Sequence, residues 1–147
     1  MDSDLWIQIL ELVVLLTLSG FFSSAETAMV SVSKIRLRTL EEEGNKKATL
    51  ALKILENQSK MLSAILIGNN LVNTSAASIA SVIAYSFGGA AVSIATFIIT
   101  FLILVFGEIT PKTWATINAD KLALAYAPII IFFDENINAC YLVCEFV

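Results

Sequence analysis

Residues 5–32 read LWIQILELVVLLTLSGFFSSAETAMVSV, an apolar run long enough to cross about 30 Å of hydrocarbon as a helix. Backbone amides and carbonyls in lipid must be bonded within the protein, so this run is expected to be helical and the chain an all-α membrane protein. The composition agrees. Across 147 residues, 57% are hydrophobic and only 15% charged, and the mean hydropathy of +0.80 lies outside the soluble range. No basic residue precedes the run and it outlasts a signal-peptide core, so it is expected to stay in the mature protein. Its second half is unusual: Ser19, Gly20, Ser23, Ser24, Glu26 and Thr27 put polar or small groups in or near the deep part of the span.

Beyond it the character changes. Residues 33–60 hold seven of the nine basic residues, Lys34, Arg36, Arg38, Lys46, Lys47, Lys53 and Lys60, interleaved with apolar positions such as Leu37, Leu50 and Ile54. The mixture predicts an amphipathic helical hairpin over about 34–60, broken near Gly44 and Asn45 and lying on the membrane surface. Positive charge marks the cytoplasmic side, which puts this segment inside and the N-terminus, with Asp2 and Asp4, outside a cell (plasma) membrane. A second span is expected over about 61–85, polar in its middle at Gly68, Asn69, Asn70, Asn73 and Thr74, and a third over about 90–110. Pro111 is expected to break the third helix at Thr110. Residues 112–133 are read as juxtamembrane, with the short apolar stretch 122–133 as an interfacial or re-entrant helix and a fourth crossing as the alternative. Asp134, Glu135, Asn136 and Asn138 mark its polar end, after which another helix begins. The basic residues collect in one juxtamembrane stretch, so nucleic acid is not an expected partner.

Three polar clusters stand where polarity is expensive: Ser23-Ser24-x-Glu26-Thr27, Gly68-Asn69-Asn70-x-x-Asn73 and Gly107-Glu108-x-x-Pro111. A carboxylate at depth costs roughly 2.5–3.5 kcal/mol on insertion scales. No Arg, Lys or His lies within these spans, so Glu26 and Glu108 are protonated, reach the interface, or bind a cation. Helical spacing puts Ser23 on one face with Glu26 and Thr27, and Asn69 on one face with Asn73, which favours Asn69 over Asn70. Hydroxyl, amide and carboxylate oxygens suit a hard cation such as Mg2+, and Gly68 and Gly107 let backbone carbonyls approach. The plainer reading is that Ser, Asn and Gly glue the helices together; it explains a lone Glu108 poorly. Cys140 and Cys144 share a helix and the chain has no His, so neither a disulfide nor a Cys/His zinc site is expected.

GFFSSAETA, LIGNNLVNT and FGEITPKT, with RLRTLEEEGNKKA between the first two, occur in an order and at separations that resemble the transmembrane domain of the CorC and cyclin M (CNNM) magnesium transporters. The resemblance covers nearly the whole chain. It implies three transmembrane helices with a cytoplasmic-side helical hairpin and belt helix, a homodimer in the lipid bilayer, and efflux of Mg2+ with Na+ as a coupling ion. It also implies that Ser23, Asn69, Asn73, Gly107 and Glu108 handle the ion and that Pro111 is a helix break. Family members continue into a regulatory ATP-binding module, which this chain ends before, so a longer parent protein is expected.

Residues 1–147 are thus expected to form one transporter domain. Ser23, Asn69, Asn73, Glu108 and the Gly107 carbonyl would build a dehydrated Mg2+ site, with Ser24, Glu26 and Asn70 as further candidates. No nucleophile and base pair suited to an enzyme is visible, so transport is expected and not bond-making chemistry. The rivals are a non-transporting membrane Mg2+ sensor or anchoring module, and a proton-coupled carrier using Glu26 and Glu108.

Overall fold

A computed structural model describes residues 2–85 and 89–144, with side chains described over 5–85 and 92–132. Every described element is helical: α1 (Asp2–Ser31), α2 (Lys34–Glu42), α3 (Lys46–Glu56), α4 (Gln58–Tyr85), α5 (Gly89–Leu102), a π-helical segment (Ile103–Ile109), α6 (Thr110–Ile117) and α7 (Ala119–Cys144). Two runs, Leu5–Ser31 and Val92–Ile117, are long and apolar enough to cross a membrane. The 28 residues of α4 give sufficient length, but the polar middle from Gly68 to Ser75 keeps it out of that class. The chain divides into two compact units, Met1–Ser24 with Gly68–Trp114 and Ala25–Ile67 with Ala115–Val147.

In the first unit, α1 and α4 bury small or polar residues and expose large apolar ones. Ser19, Ser23 and Ser24 of α1 and Asn69 of α4 are buried, as are Ala76, Ala80 and Ala84 at successive turns of α4. Trp6, Leu10, Val13, Phe97 and Phe101 point outward. The expected break at Pro111 does not occur. The helix instead widens into the π segment and continues through Thr110 to Ile117, with the Thr110 amide donating to the Val105 carbonyl five residues back. Pro111 follows directly on this π segment, so its missing amide falls where the helix's hydrogen-bond ladder has already shifted from the regular spacing. Its ring fills the space beside α1: a Cβ added to Gly20 would stand 3.2 Å from Pro111 Cγ.

In the second unit the hairpin turns at Gly44, whose φ of +88° favours glycine. Gly44 N donates to Glu41 O at 2.8 Å and Asn45 N to Leu40 O at 2.9 Å, the paired bonds of a Schellman helix end. Asn45 then caps α3, its side chain accepting from Lys47 N. Helix α3 buries Ala48, Ala51, Ile54 and Leu55 and packs against both α2 and α7; Leu122, Ala123, Ala127 and Ile130 of α7 are likewise buried. The expected short helix over 122–133 is corrected by α7, which runs unbroken to Cys144 and carries Pro128 inside. Pro128 lies on an exposed face, where a lost internal hydrogen bond does not leave the core unsatisfied, and Asp134–Asn138 contains no residue that stops a helix. The side chains of Cys140 and Cys144 lie outside the described residues.

Candidate functional site

The first unit brings together four oxygen-bearing groups. The Ser19 hydroxyl stands 2.6 Å from Asn73 Oδ1 and 3.4 Å from the Gly107 carbonyl oxygen. Asn73 Nδ2 donates to Glu108 Oε1 at 3.0 Å. A hydroxyl has one proton to give, and the distances assign it to Asn73. That leaves the Asn73 amide nitrogen, a donor, facing the accepting Oε1 of Glu108. Glu108 and Gly107 reach the cluster from the π segment, Asn73 from α4 and Ser19 from α1. The close approach depends on Gly107, because a Cβ there would lie 2.7 Å from Ser19 Oγ and 3.3 Å from Ser19 Cβ.

Among the residues expected from sequence, Asn73 and Glu108 are therefore hydrogen-bonded to each other, and the Gly107 carbonyl lies 3.4 Å from the Ser19 hydroxyl that donates to Asn73. Asn69 is 6% exposed, and its Oδ1 has no hydrogen-bond partner among the described residues. An orphaned amide oxygen at such depth costs about 1–3 kcal/mol unless something else binds it. Ser23 is fully buried on the same face of α1 as Ser19, one turn on. Ser24 is buried too, but its hydroxyl is turned to the Phe21 carbonyl of its own helix at 2.9 Å. Asn70 is exposed. Glu26 is half-buried and belongs to the second unit.

Sequence reasoning missed Ser19. It precedes Ser23 by four residues, so helical spacing already placed the two hydroxyls on one face. Nothing in that spacing said that Ser19 would sit level with Gly107 and Asn73. No group of three or more His, Cys, Asp or Glu able to hold a metal occurs among the described residues. Whatever charge this cluster receives would be met by one carboxylate and neutral oxygens. Such a set suits a hard cation more than a soft transition metal.

A model of the cyclin M transmembrane N-terminal domain matches residues 10–134. The chain is 51% identical over 113 residues to a UPF0053 protein of Haemophilus influenzae, covering 76% of this chain and 27% of that protein. It is 39% identical over 107 residues to the UPF0053 inner membrane protein YfjD of Escherichia coli, covering 72% and 25%. A protein of Haemophilus influenzae named as a polyamine export protein is 28% identical over 166 residues, covering 96% of this chain and 38% of its own length. The chain thus spans about a quarter of the length of the first two relatives. With the match running from the first span through α6 into α7, the chain belongs to the family of cyclin M transmembrane N-terminal domains.

Proposed function

We propose that this membrane domain carries Mg2+ out of the cytoplasm through the oxygen cluster of Ser19, Asn73, Gly107 and Glu108, with Asn69 and Ser23 as further ligands. The observation that supports it most is the placement of a carboxylate, an amide, a hydroxyl and a glycine carbonyl in one connected group within the unit whose outer face is apolar. Glu108 neutralises half the ion's charge. The amide and hydroxyl oxygens replace water around it, which Mg2+ gives up only for well-placed ligands at about 2.0–2.1 Å. In this reading α4 is the third membrane crossing, the N-terminus faces outward, the hairpin over 34–60 is cytoplasmic, and the domain works as a homodimer within a longer protein with an ATP-binding module. Na+ entering down its gradient is the proposed driving ion.

The test is the thermal stability of the purified protein in detergent against Mg2+ at constant ionic strength. A site present only in the folded state adds RT ln(1 + [L]/Kd), about 1.4 kcal/mol at a ten-fold excess over Kd. A saturable rise that disappears in Glu108→Gln supports the site; equal rises in both proteins exclude Glu108 as a ligand. Flux into liposomes under an imposed Mg2+ gradient, with and without Na+, then separates a transporter from a sensor, which binds without flux.

A second reading follows from the relative named as a polyamine export protein, whose match covers 96% of this chain. A carboxylate with amide and carbonyl acceptors also suits an ammonium group, which donates three hydrogen bonds. Spermidine that stabilises the protein through Glu108 where Mg2+ does not would replace the ion with an organic cation.

A further inference from the structure

Next to Asn69 the first unit leaves no room for a side chain at Gly68. Gly68 of α4 lies under the ring of Phe22 of α1: a Cβ built on Gly68 would stand 2.8 Å from both Cε1 and Cζ of Phe22 and 3.3 Å from Cδ1. Phe22 is itself buried, 8% exposed, and it stands between two buried serines of α1, three residues after Ser19 and one before Ser23. Gly68 has a matching place on α4, one residue before Asn69 and five before Asn73. One aromatic ring therefore rests on one glycine where the Ser-bearing stretch of α1 lies beside the Asn-bearing stretch of α4.

We infer that the Phe22–Gly68 contact is a spacer that sets the size of the cation the site accepts, with Phe22 and Gly68 acting as positioning residues. The inference rests on the reading of the site given above. Carbon atoms pack at about 3.5–4.0 Å, so a methyl at 2.8 Å forces a separation of at least about 0.7 Å. Mg2+ takes ligands at about 2.0–2.1 Å and Ca2+ at about 2.3–2.6 Å, a difference of about 0.2–0.6 Å. The displacement expected from one methyl is thus as large as the difference in ligand distance between the two ions. A ring has only two side-chain torsions and cannot flatten, so the methyl is accommodated mainly by movement of the helices or by turning Phe22 away. A wider gap keeps the oxygens but spoils the short octahedral arrangement that Mg2+ demands, and it leaves the more adaptable coordination of Ca2+ less affected.

The experiment measures, on the full-length protein in detergent, the midpoints of thermal stabilisation by Mg2+ and by Ca2+ for wild type, Gly68→Ala and the double variant Phe22→Leu/Gly68→Ala. Gly68→Ala is expected to weaken Mg2+ at least ten-fold and Ca2+ by a smaller factor, and the double variant to bring the ratio back to within about three-fold of wild type, because leucine vacates the ring's place. An unchanged ratio in Gly68→Ala overturns the inference, as does a double variant that keeps the altered ratio of Gly68→Ala. If Gly68→Ala alone does not fold, a folded double variant with the wild-type ratio supports the spacer, and a double variant that also fails to fold shows that Phe22 is not the obstacle. A wild type without any saturable Mg2+ response refutes the site and the spacer with it, whereas a saturable wild-type response with an unchanged ratio in Gly68→Ala refutes the spacer alone.

Discussion

The two units of this chain are built in opposite senses. In the unit formed by Met1–Ser24 and Gly68–Trp114 the buried side chains include Ser19, Ser23, Ser24 and Asn69, and the exposed ones include Trp6, Leu10, Phe97 and Phe101. In the unit formed by Ala25–Ile67 and Ala115–Val147 the buried side chains are Met29, Leu37, Ala51, Leu55, Ala123 and similar residues, while Lys46, Lys47, Lys53 and Glu56 are exposed. All four of the buried polar residues among those described belong to the first unit. Packing in the second unit is by burial of apolar side chains. Such burial cannot drive packing among helices surrounded by lipid, where close glycine contacts and internal hydrogen bonds take over. Under the proposed function, the polar interior of the first unit serves the ion and the second unit supports it.

That contrast breaks most visibly if a mutation in the second unit changes the cation response. Leu37 is 1% exposed, and Leu37→Ala should destabilise by about 2–5 kcal/mol. The Mg2+ midpoint should stay that of wild type, measured as a family of melting curves at increasing Mg2+. A shifted midpoint would mean that the hairpin is part of the binding machinery. Ser19→Ala tests the other unit with a smaller change in stability. Loss of a hydrogen bond in a membrane interior costs about 0.6 kcal/mol on average and up to about 1.7 kcal/mol, yet here the Mg2+ midpoint should rise several-fold because Asn73 Oδ1 loses its donor and the site loses an oxygen. An unchanged midpoint would remove Ser19 from the site.

The smallest effect belongs to the surface of the second unit. Asp120 Oδ2 lies 3.4 Å from Arg36 Nε, with the side chains 34% and 69% exposed, and Asp120 Oδ1 accepts from the Ser33 amide at 3.3 Å. Asp120→Asn keeps an acceptor for the amide and removes only the charge. It should cost about 0.2–1 kcal/mol at low ionic strength and nearly nothing in high salt, as exposed ion pairs do. No loss at low ionic strength would show that the amide contact, which this variant keeps, and not the charge pair, ties α7 to the start of α2.

Much of this architecture was legible in the residues alone. The long apolar run from Leu5, the charged stretch with its glycine at 44 and the clusters around Asn73 and Glu108 each follow from local rules: hydrocarbon thickness, helix-ending chemistry and the cost of a buried carboxylate. Proline was the misleading signal. Pro111 suggested a break and Pro128 a short helix, yet the helix widens into a π segment just before the first and runs on past it, and α7 carries the second on an exposed face. A local rule states what proline removes, and only the surroundings decide whether the loss matters.

What the sequence by itself determined is the helical class, the apolar spans and the face of each helix that is polar, because periodicity acts within one element. Which of those faces meet, and at what height, was decided by tertiary structure. Ser19 and Ser23 share a face, but it is Ser19 that meets Gly107 and Asn73, while Glu26, seven residues on, falls in the other unit. The selection is made between helices, by glycines that let backbones approach to distances no other residue permits, and no spacing along a single helix encodes that.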